Sequence, residues 1–335
     1  MRDERGERRT TDMLMTALGE QITGALGDPS VVEIMMNPDG RLWIERHGIG
    51  RIDTGSELSS HEVERVIRLV ATHAGRDVTA TSPIVSAELP IGGERFEGVL
   101  PPVTAGPCFS IRKPAGRVIG LDEYVEHGVI SPQNADALRA AVAERSNIMI
   151  VGGTGSGKTT LANALLAEIA HSGARVVLLE DTRELQCAAK DVVAMRTQPG
   201  SVSLSDLVRS TLRLRPDRII IGEVRGGEAL DMLKAWNTGH PGGIATLHAN
   251  SAEAGLSRLE QLIGEATPNI PLDLIAEAVD CVVSIKRDGT ARRVDTVARV
   301  MGVTANGYEL ESVRPSIRQV VPNTTFPNEK GNQNE

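Results

Sequence analysis

Gly152-Gly153-Thr154-Gly155-Ser156-Gly157-Lys158-Thr159 is the stretch whose chemistry is easiest to name. It fills the template G-x-x-x-x-G-K-[ST] at every fixed position, a pattern that cradles the phosphates of a nucleotide. Its four glycines let the backbone turn with N–H groups inward and no Cβ in the path of a phosphate oxygen. Lys158 is placed to reach the β- and γ-phosphates and the Thr159 hydroxyl to ligate Mg²⁺, with Thr160 next along the chain. The candidate nucleotide contacts are therefore Gly152, Gly153, Thr154, Gly155, Ser156, Gly157, Lys158, Thr159 and Thr160, and the implied ligands are ATP and Mg²⁺. The flanks fit: Ile148, Met149, Ile150 and Val151 read as a short buried strand, and Leu161, Leu165, Leu166 and Ile169 recur at helical spacing. A helix N-terminus following the loop favours an anion through its unpaired N–H groups and dipole.

Three more stretches end apolar runs in polar groups. Val176 to Leu179 leads into Glu180 and Asp181, which places both acids at the carboxyl edge of a sheet. There they would orient Mg²⁺ or its waters; a helix cap with solvated charges is an equal reading. Arg218 to Ile221 leads into Gly222-Glu223. A carboxylate at this point can hold a metal-bound water or take a proton from it, although an Asp is the usual residue before it. Ile244 to Leu247 leads into His248, a candidate contact for the γ-phosphate, while His240 in its Gly-Pro turn reads as well as a hydrogen-bonded structural group. Arg209, Arg213, Arg215 and Arg218 form a basic stretch. It suits a neighbouring subunit's nucleotide, a DNA-lined pore, or, more plainly, a solvated face paired with Asp206 or Asp217.

Elements must bring these groups together. The length of 335 residues suggests about two domains. Residues 1–11 read as a disordered charged tail. Residues 12–113 read as a small α+β domain: an amphipathic helix from Asp12 to about Gly27, strands at Val31–Met36, Leu42–Glu45, Ile84–Leu89, Arg95–Leu100 and Phe109–Arg112, and a helix capped by Ser59 or Ser60. Residues 114–131 are the expected linker, with a short helix over 118–128. From 132 to 320 strands at 147–151, 175–180, 192–197, 218–223, 243–247 and 281–285 alternate with helices, which predicts a mostly parallel α/β sheet covered on both faces and closed by a hairpin near Asn306-Gly307. Residues 321–335 are expected to be disordered.

The totals narrow the function. Apolar residues make up 40% and charged residues 24%, as in a globular protein, and a net charge of −8 speaks against a chain built chiefly to grip nucleic acid. The three cysteines are far apart with no C-x-x-C, so a zinc knuckle or redox pair is not expected and a reducing cytoplasm is. No run of about eighteen apolar residues exists, so any membrane association is expected to be peripheral or through partners.

The ordered set GGTGSGKTT, LLEDTREL, RPDRIIIGEVRGGEAL and TGHPGGIATLHANS resembles the Walker A, Asp box, Walker B and His box of the secretion ATPase superfamily. GERFEGVLPP and FSIRKP resemble its conjugative, type IV secretion branch, of TrbB and VirB11 type, so the likeness runs from about residue 12 to 310. That resemblance implies a RecA-like P-loop NTPase domain behind a smaller α+β N-terminal domain. It implies a homohexameric ring that hydrolyses ATP at the domain junction, and peripheral association with the cytoplasmic face of the inner membrane. Type IV secretion inner-membrane components, a coupling protein and DNA are the implied partners. Carried over by motif, Lys158 and Thr159 bind phosphate and Mg²⁺, Glu223 is the Walker B acid, Glu180 and His248 approach the nucleotide, and Arg95 and Arg112 contact the γ-phosphate. A type II secretion or type IV pilus motor is an alternative. Such relatives often carry a tetracysteine module or a C-terminal retraction signature, and neither is visible. A nucleotide-gated DNA-binding scaffold ring is another.

Overall fold

Helix α1 (Glu4–Gly27) opens the fold, in a computed structural model that describes residues 4–114, 116–198, 200–289 and 291–312. The helix expected from Asp12 thus begins at Glu4, over residues read as a disordered tail, and its helical geometry breaks at Gly19 (φ 73°). It buries Leu14, Leu18 and Ile22. The first unit continues with β1 (Val31–Met36), β2 (Arg41–Arg46), β3 (Gly50–Glu57), α2 (Ser60–His73), β4 (Ile84–Glu88), β5 (Arg95–Val99) and β6 (Cys108–Arg112). These strands form an antiparallel six-stranded sheet in the order β3-β2-β1-β6-β5-β4. Ser59 caps α2 through a capping box: its backbone N–H donates to Glu62 Oε2 at 2.8 Å, and the Glu62 N–H donates back to its hydroxyl. Strand β3 escaped the sequence reading because it is an edge strand, mostly exposed, with no apolar alternation.

Register explains which residues this sheet hides. Ile44, Ile34, Ile111 and Phe96 are consecutive cross-strand partners, all buried beneath α1 and α2. The period of two sends the neighbouring row to the opposite face. That row runs Glu33, Arg112, Arg95, Glu88.

The chain divides between Gly116 and Arg117, inside the expected linker. The second unit holds α3 (Leu121–Glu126), α4 (Pro132–Ala143), β7 (Ile148–Val151), α5 (Lys158–Ile169), β8 (Arg175–Glu180), β9 (Asp191–Arg196), α6 (Leu204–Thr211), β10 (Arg218–Ile221), α7 (Glu228–Asn237), β11 (Ile244–Leu247), α8 (Ala252–Gly264), α9 (Leu272–Ala278), β12 (Cys281–Asp288), β13 (Ala291–Thr304) and β14 (Gly307–Ser312). The short helix α3 packs on α4 through buried Leu121 and Tyr124, so the second half of that linker belongs to the second unit. The eight-stranded sheet runs β14-β13-β12-β7-β11-β10-β8-β9. It is parallel from β12 to β9 and closes with the antiparallel hairpin β13-β14. All residues of β7, β10 and β11 are buried, as required of strands covered on both faces. Helices α6 to α9 cover one face, and α5, backed by α4, packs against β7 and β11 from the other. The expected tail at 321–335 lies outside the described residues.

A buried asparagine ties the centre of this sheet. Asn147 donates from Nδ2 to Ala278 O (2.8 Å) and accepts the Gly243 N–H (2.9 Å), while its own N–H donates to Asp280 Oδ2 (2.7 Å). It therefore joins the starts of β7, β11 and β12.

Candidate functional site

The glycine loop leaves β7 and enters α5 at the carboxyl edge of the parallel strands. Gly155 (φ +68°) and Gly157 (φ +98°) hold left-handed conformations that other residues adopt only with strain. Gly152 is required for close approach: a Cβ there would fall 2.4 Å from Ile285 O and 2.5 Å from Ser156 Oγ. Lys158, 8% exposed, curls back so that Nζ donates to Gly152 O (3.0 Å) and Gly153 O (3.1 Å). Its ammonium also lies 3.3 Å from His248 Nδ1. A cleft of about 470 Å³ opens beside the loop, lined by Gly152, Gly153, Thr154 and Ser156 on one wall and by Asn250 and Arg287 among others.

The carboxylates gather on the β11-β10-β8 side. Glu223 lies 2.6 Å from His248 Nε2 through Oε1, and its Oε2 accepts Arg225 Nε (2.7 Å) and Nη2. Arg225 also pairs with Asp181 at 3.3 Å, and Asp181 accepts the Thr197 hydroxyl at 2.9 Å. Glu180 is buried, and burial pushes its carboxyl above the usual range even though Oε1 accepts the N–H groups of Glu184 (2.9 Å) and Leu185 (2.7 Å). Those bonds shape the turn after β8 and bring Glu184 Oε2 to 3.2 Å from the Thr159 hydroxyl.

Gly222 now has a reason. A Cβ at that position would sit 3.2 Å from Glu180 Cγ and 3.5 Å from its Oε1. A side chain there would press on Glu180, which ends the neighbouring strand β8.

His248 joins the two halves of the site. Partial desolvation of a ring that is still 49% exposed, and then the Lys158 ammonium, push its imidazole below the ordinary histidine range, outweighing the upward pull of Glu223. The ring is therefore neutral at neutral pH, able to donate one hydrogen bond and accept another.

Lys158, Thr159, Glu180, Asp181, Glu223 and His248 thus converge at the carboxyl ends of β7, β8, β10 and β11. Arg95 and Arg112 lie in the first unit, directly opposed across β5 and β6. Sequence reasoning missed Glu184 and Arg225. Glu184 lies four residues after Glu180, and Arg225 two residues after Glu223; only the turn geometry shows that their side chains return to the strand ends. The basic stretch differs from its expected pairing. Arg209 pairs with Asp231, Asp206 caps α6 with Ser203, and Arg218 is buried, donating to Val142 O at 2.9 Å. His240 hydrogen-bonds Pro216 O at 3.1 Å, the structural role.

A family model described as Type II/IV secretion system protein matches residues 18–313. The chain belongs to this family. It is 51% identical to the conjugal transfer protein TrbB of Rhizobium radiobacter, over 92% of this chain and 95% of that protein. It is 32% identical to the type IV secretion system protein VirB11 of Bartonella quintana, over 83% and 90%. The solved structure of the ATPase DotB from Legionella pneumophila shares the fold, with a TM-score of 0.58 at 22% identity, covering 81% of this chain and 77% of that one. The chain is thus a secretion ATPase of TrbB and VirB11 type: an ATP-hydrolysing enzyme whose chain runs from a smaller α+β domain into a RecA-like domain.

Proposed function

We propose that this ATPase powers conjugative DNA transfer through a type IV secretion machine, working as a homohexamer with Mg²⁺·ATP. The observation that carries the catalytic part is the chain of contacts Lys158–His248–Glu223 at the mouth of the phosphate loop. The transport part rests on the 51% identity to a conjugal transfer protein along nearly the whole chain.

In this reading Lys158 exchanges the carbonyls of Gly152 and Gly153 for the β- and γ-phosphates. Glu223, oriented by Arg225 and His248, takes the proton of a water whose oxygen attacks the γ-phosphorus, and the bond to the β–γ bridging oxygen breaks to release ADP and phosphate. Arg95 and Arg112 spread the charge that develops on the γ-phosphate oxygens. The donor set around Thr159 suits Mg²⁺: a hydroxyl and the Glu184 carboxylate are hard oxygen ligands, with Glu180 behind them. Among the described residues no group of three or more His, Cys, Asp or Glu could hold a metal ion, so Thr159 and Glu184 would hold Mg²⁺ together with the nucleotide. Mg²⁺, when bound, neutralises charge on the phosphates.

Among the described residues no helix is long and apolar enough to cross a membrane. Association with the cytoplasmic face of the inner membrane therefore runs, in this reading, through secretion-system components or the membrane surface. The test is ATP turnover by the purified full chain beside Lys158→Ala and Glu223→Gln, with light scattering in Mg²⁺·ATP. Turnover is expected to fall at least a hundredfold in both variants at unchanged melting temperature, and the wild type to assemble as a hexamer. Full turnover in both variants, or a monomer throughout, would overturn the reading.

A further inference from the structure

The phosphate loop has a second flank, and it is basic. Strand β7 lies between β11, on the side of the carboxylates, and β12 on the other. Strands β12 and β13 form an antiparallel hairpin whose register sets Arg287 opposite Arg292 and Lys286 opposite Arg293. Opposed residues share a face of the ladder. On one face Asp295 neutralises the pair, taking Lys286 Nζ at 2.7 Å and Arg293 Nη2 at 3.0 Å. The other face meets the loop. A Cβ built on Gly155 would lie 3.1 Å from Arg287 Nη1, and one on Gly157 would lie 3.1 Å from Arg292 Cδ and 3.5 Å from its Nε.

The hairpin is held in place. The Val294 N–H donates to Val129 O at 2.7 Å, Ile285 O packs against Gly152, and Arg287 Nε donates to Gly289 O at 2.9 Å. Arg287 also lines the cleft of about 470 Å³ together with Gly153, Thr154 and Asn250. Like charges opposed on one sheet face repel, and a polyanion between them reverses the sign of that interaction. A guanidinium fork is the side chain best suited to phosphate oxygens.

We propose that Arg287 and Arg292 form a clamp, supplied by the nucleotide's own domain, that binds the phosphate chain of ATP and ADP from the flank opposite Glu223. The inference rests on the reading of the loop as the nucleotide site. The clamp lies on the β12 flank of β7 and the carboxylates on the β11 flank, so in this proposal it holds substrate and transition state alike. Its loss therefore appears in nucleotide affinity and KM more than in kcat.

The experiment measures binding of MANT-ATP and MANT-ADP, at low and high salt, and steady-state turnover. The proteins are the full chain, Arg287→Ala, Arg292→Ala, the double variant R287K/R292K, and Lys158→Ala as control. Each alanine variant is expected to weaken both nucleotides about tenfold, to raise KM in step, and to flatten the salt dependence of binding. The double lysine variant, which keeps charge and loses the fork, is expected to recover part of the affinity; it also reports on the clamp if an alanine variant fails to fold. Dissociation constants within twofold of wild type in folded alanine variants, with Lys158→Ala impaired, would overturn the clamp alone. Undiminished binding by Lys158→Ala as well would remove the loop reading and the clamp together.

Discussion

Arg95 and Arg112 stand directly opposite each other across the β5–β6 ladder, on the face of the first unit's sheet that turns away from its core. Their outer neighbours in the same row are Glu88 and Glu33. An opposed like-charge pair costs roughly 0.2–1 kcal/mol, which flanking carboxylates offset in part. Arg95→Ala and Arg112→Ala are each expected to lower kcat by about a thousandfold or more, within the range of arginines that act on a transferring phosphoryl group. Neither variant should lower the melting temperature. Steady-state turnover beside thermal melts decides it: a variant with full turnover removes that arginine from the reaction.

His248 carries a pH signature. Its folded-state pKa is depressed, by burial first and by Lys158 next. The unfolded chain therefore binds the proton more readily over the window between the folded value and the ordinary histidine value. The stability that His248 contributes is fully present above that ordinary value and is lost as pH falls through the depressed one. The denaturant midpoint of wild type relative to His248→Gln should thus drop between pH 7.5 and 5. A difference that stays constant across that range would refute the assignment.

Glu184 should control the metal requirement. Its carboxylate meets the Thr159 hydroxyl at 3.2 Å. Glu184→Gln is expected to raise the Mg²⁺ concentration for half-maximal turnover about tenfold, in line with other groups that support a bound ion. Nucleotide binding measured in EDTA should be unaffected. An unchanged Mg²⁺ titration would place the metal elsewhere.

Asn147 should be a stability residue. Truncation to Ala strips the Gly243 N–H and the Ala278 carbonyl of their buried partner. Unsatisfied buried groups of this kind cost about 1–3 kcal/mol each. For a unit of this size the melting temperature should fall by roughly 5–15 °C. A melting temperature unchanged from wild type would show that the junction of β7, β11 and β12 is held by other means.

The phosphate loop, the buried strands β7, β8, β10 and β11, and the cap of α2, narrowed to Ser59 or Ser60, were all legible in the chain. Each is written in contiguous residues: a fixed glycine spacing, an unbroken apolar run, a hydroxyl ahead of a helical period. Strand β3 was not legible, because an exposed edge strand buries too little to leave a period. The start of α1 was not, because its charged residues have no apolar stripe.

Sequence by itself determined the chemistry on offer: a loop that fills the phosphate-binding template, acids at the ends of apolar strands, and membership of the Type II/IV secretion system family. Tertiary structure alone decided who meets whom. The order β12-β7-β11-β10-β8 puts carboxylates on one flank of the loop and arginines on the other. It also brings Glu180 against Gly222, where an added Cβ would meet its Cγ at 3.2 Å. The cause is physical: parallel strands are joined by long crossovers, so neighbours in the sheet are distant in the chain and no local spacing records their contact.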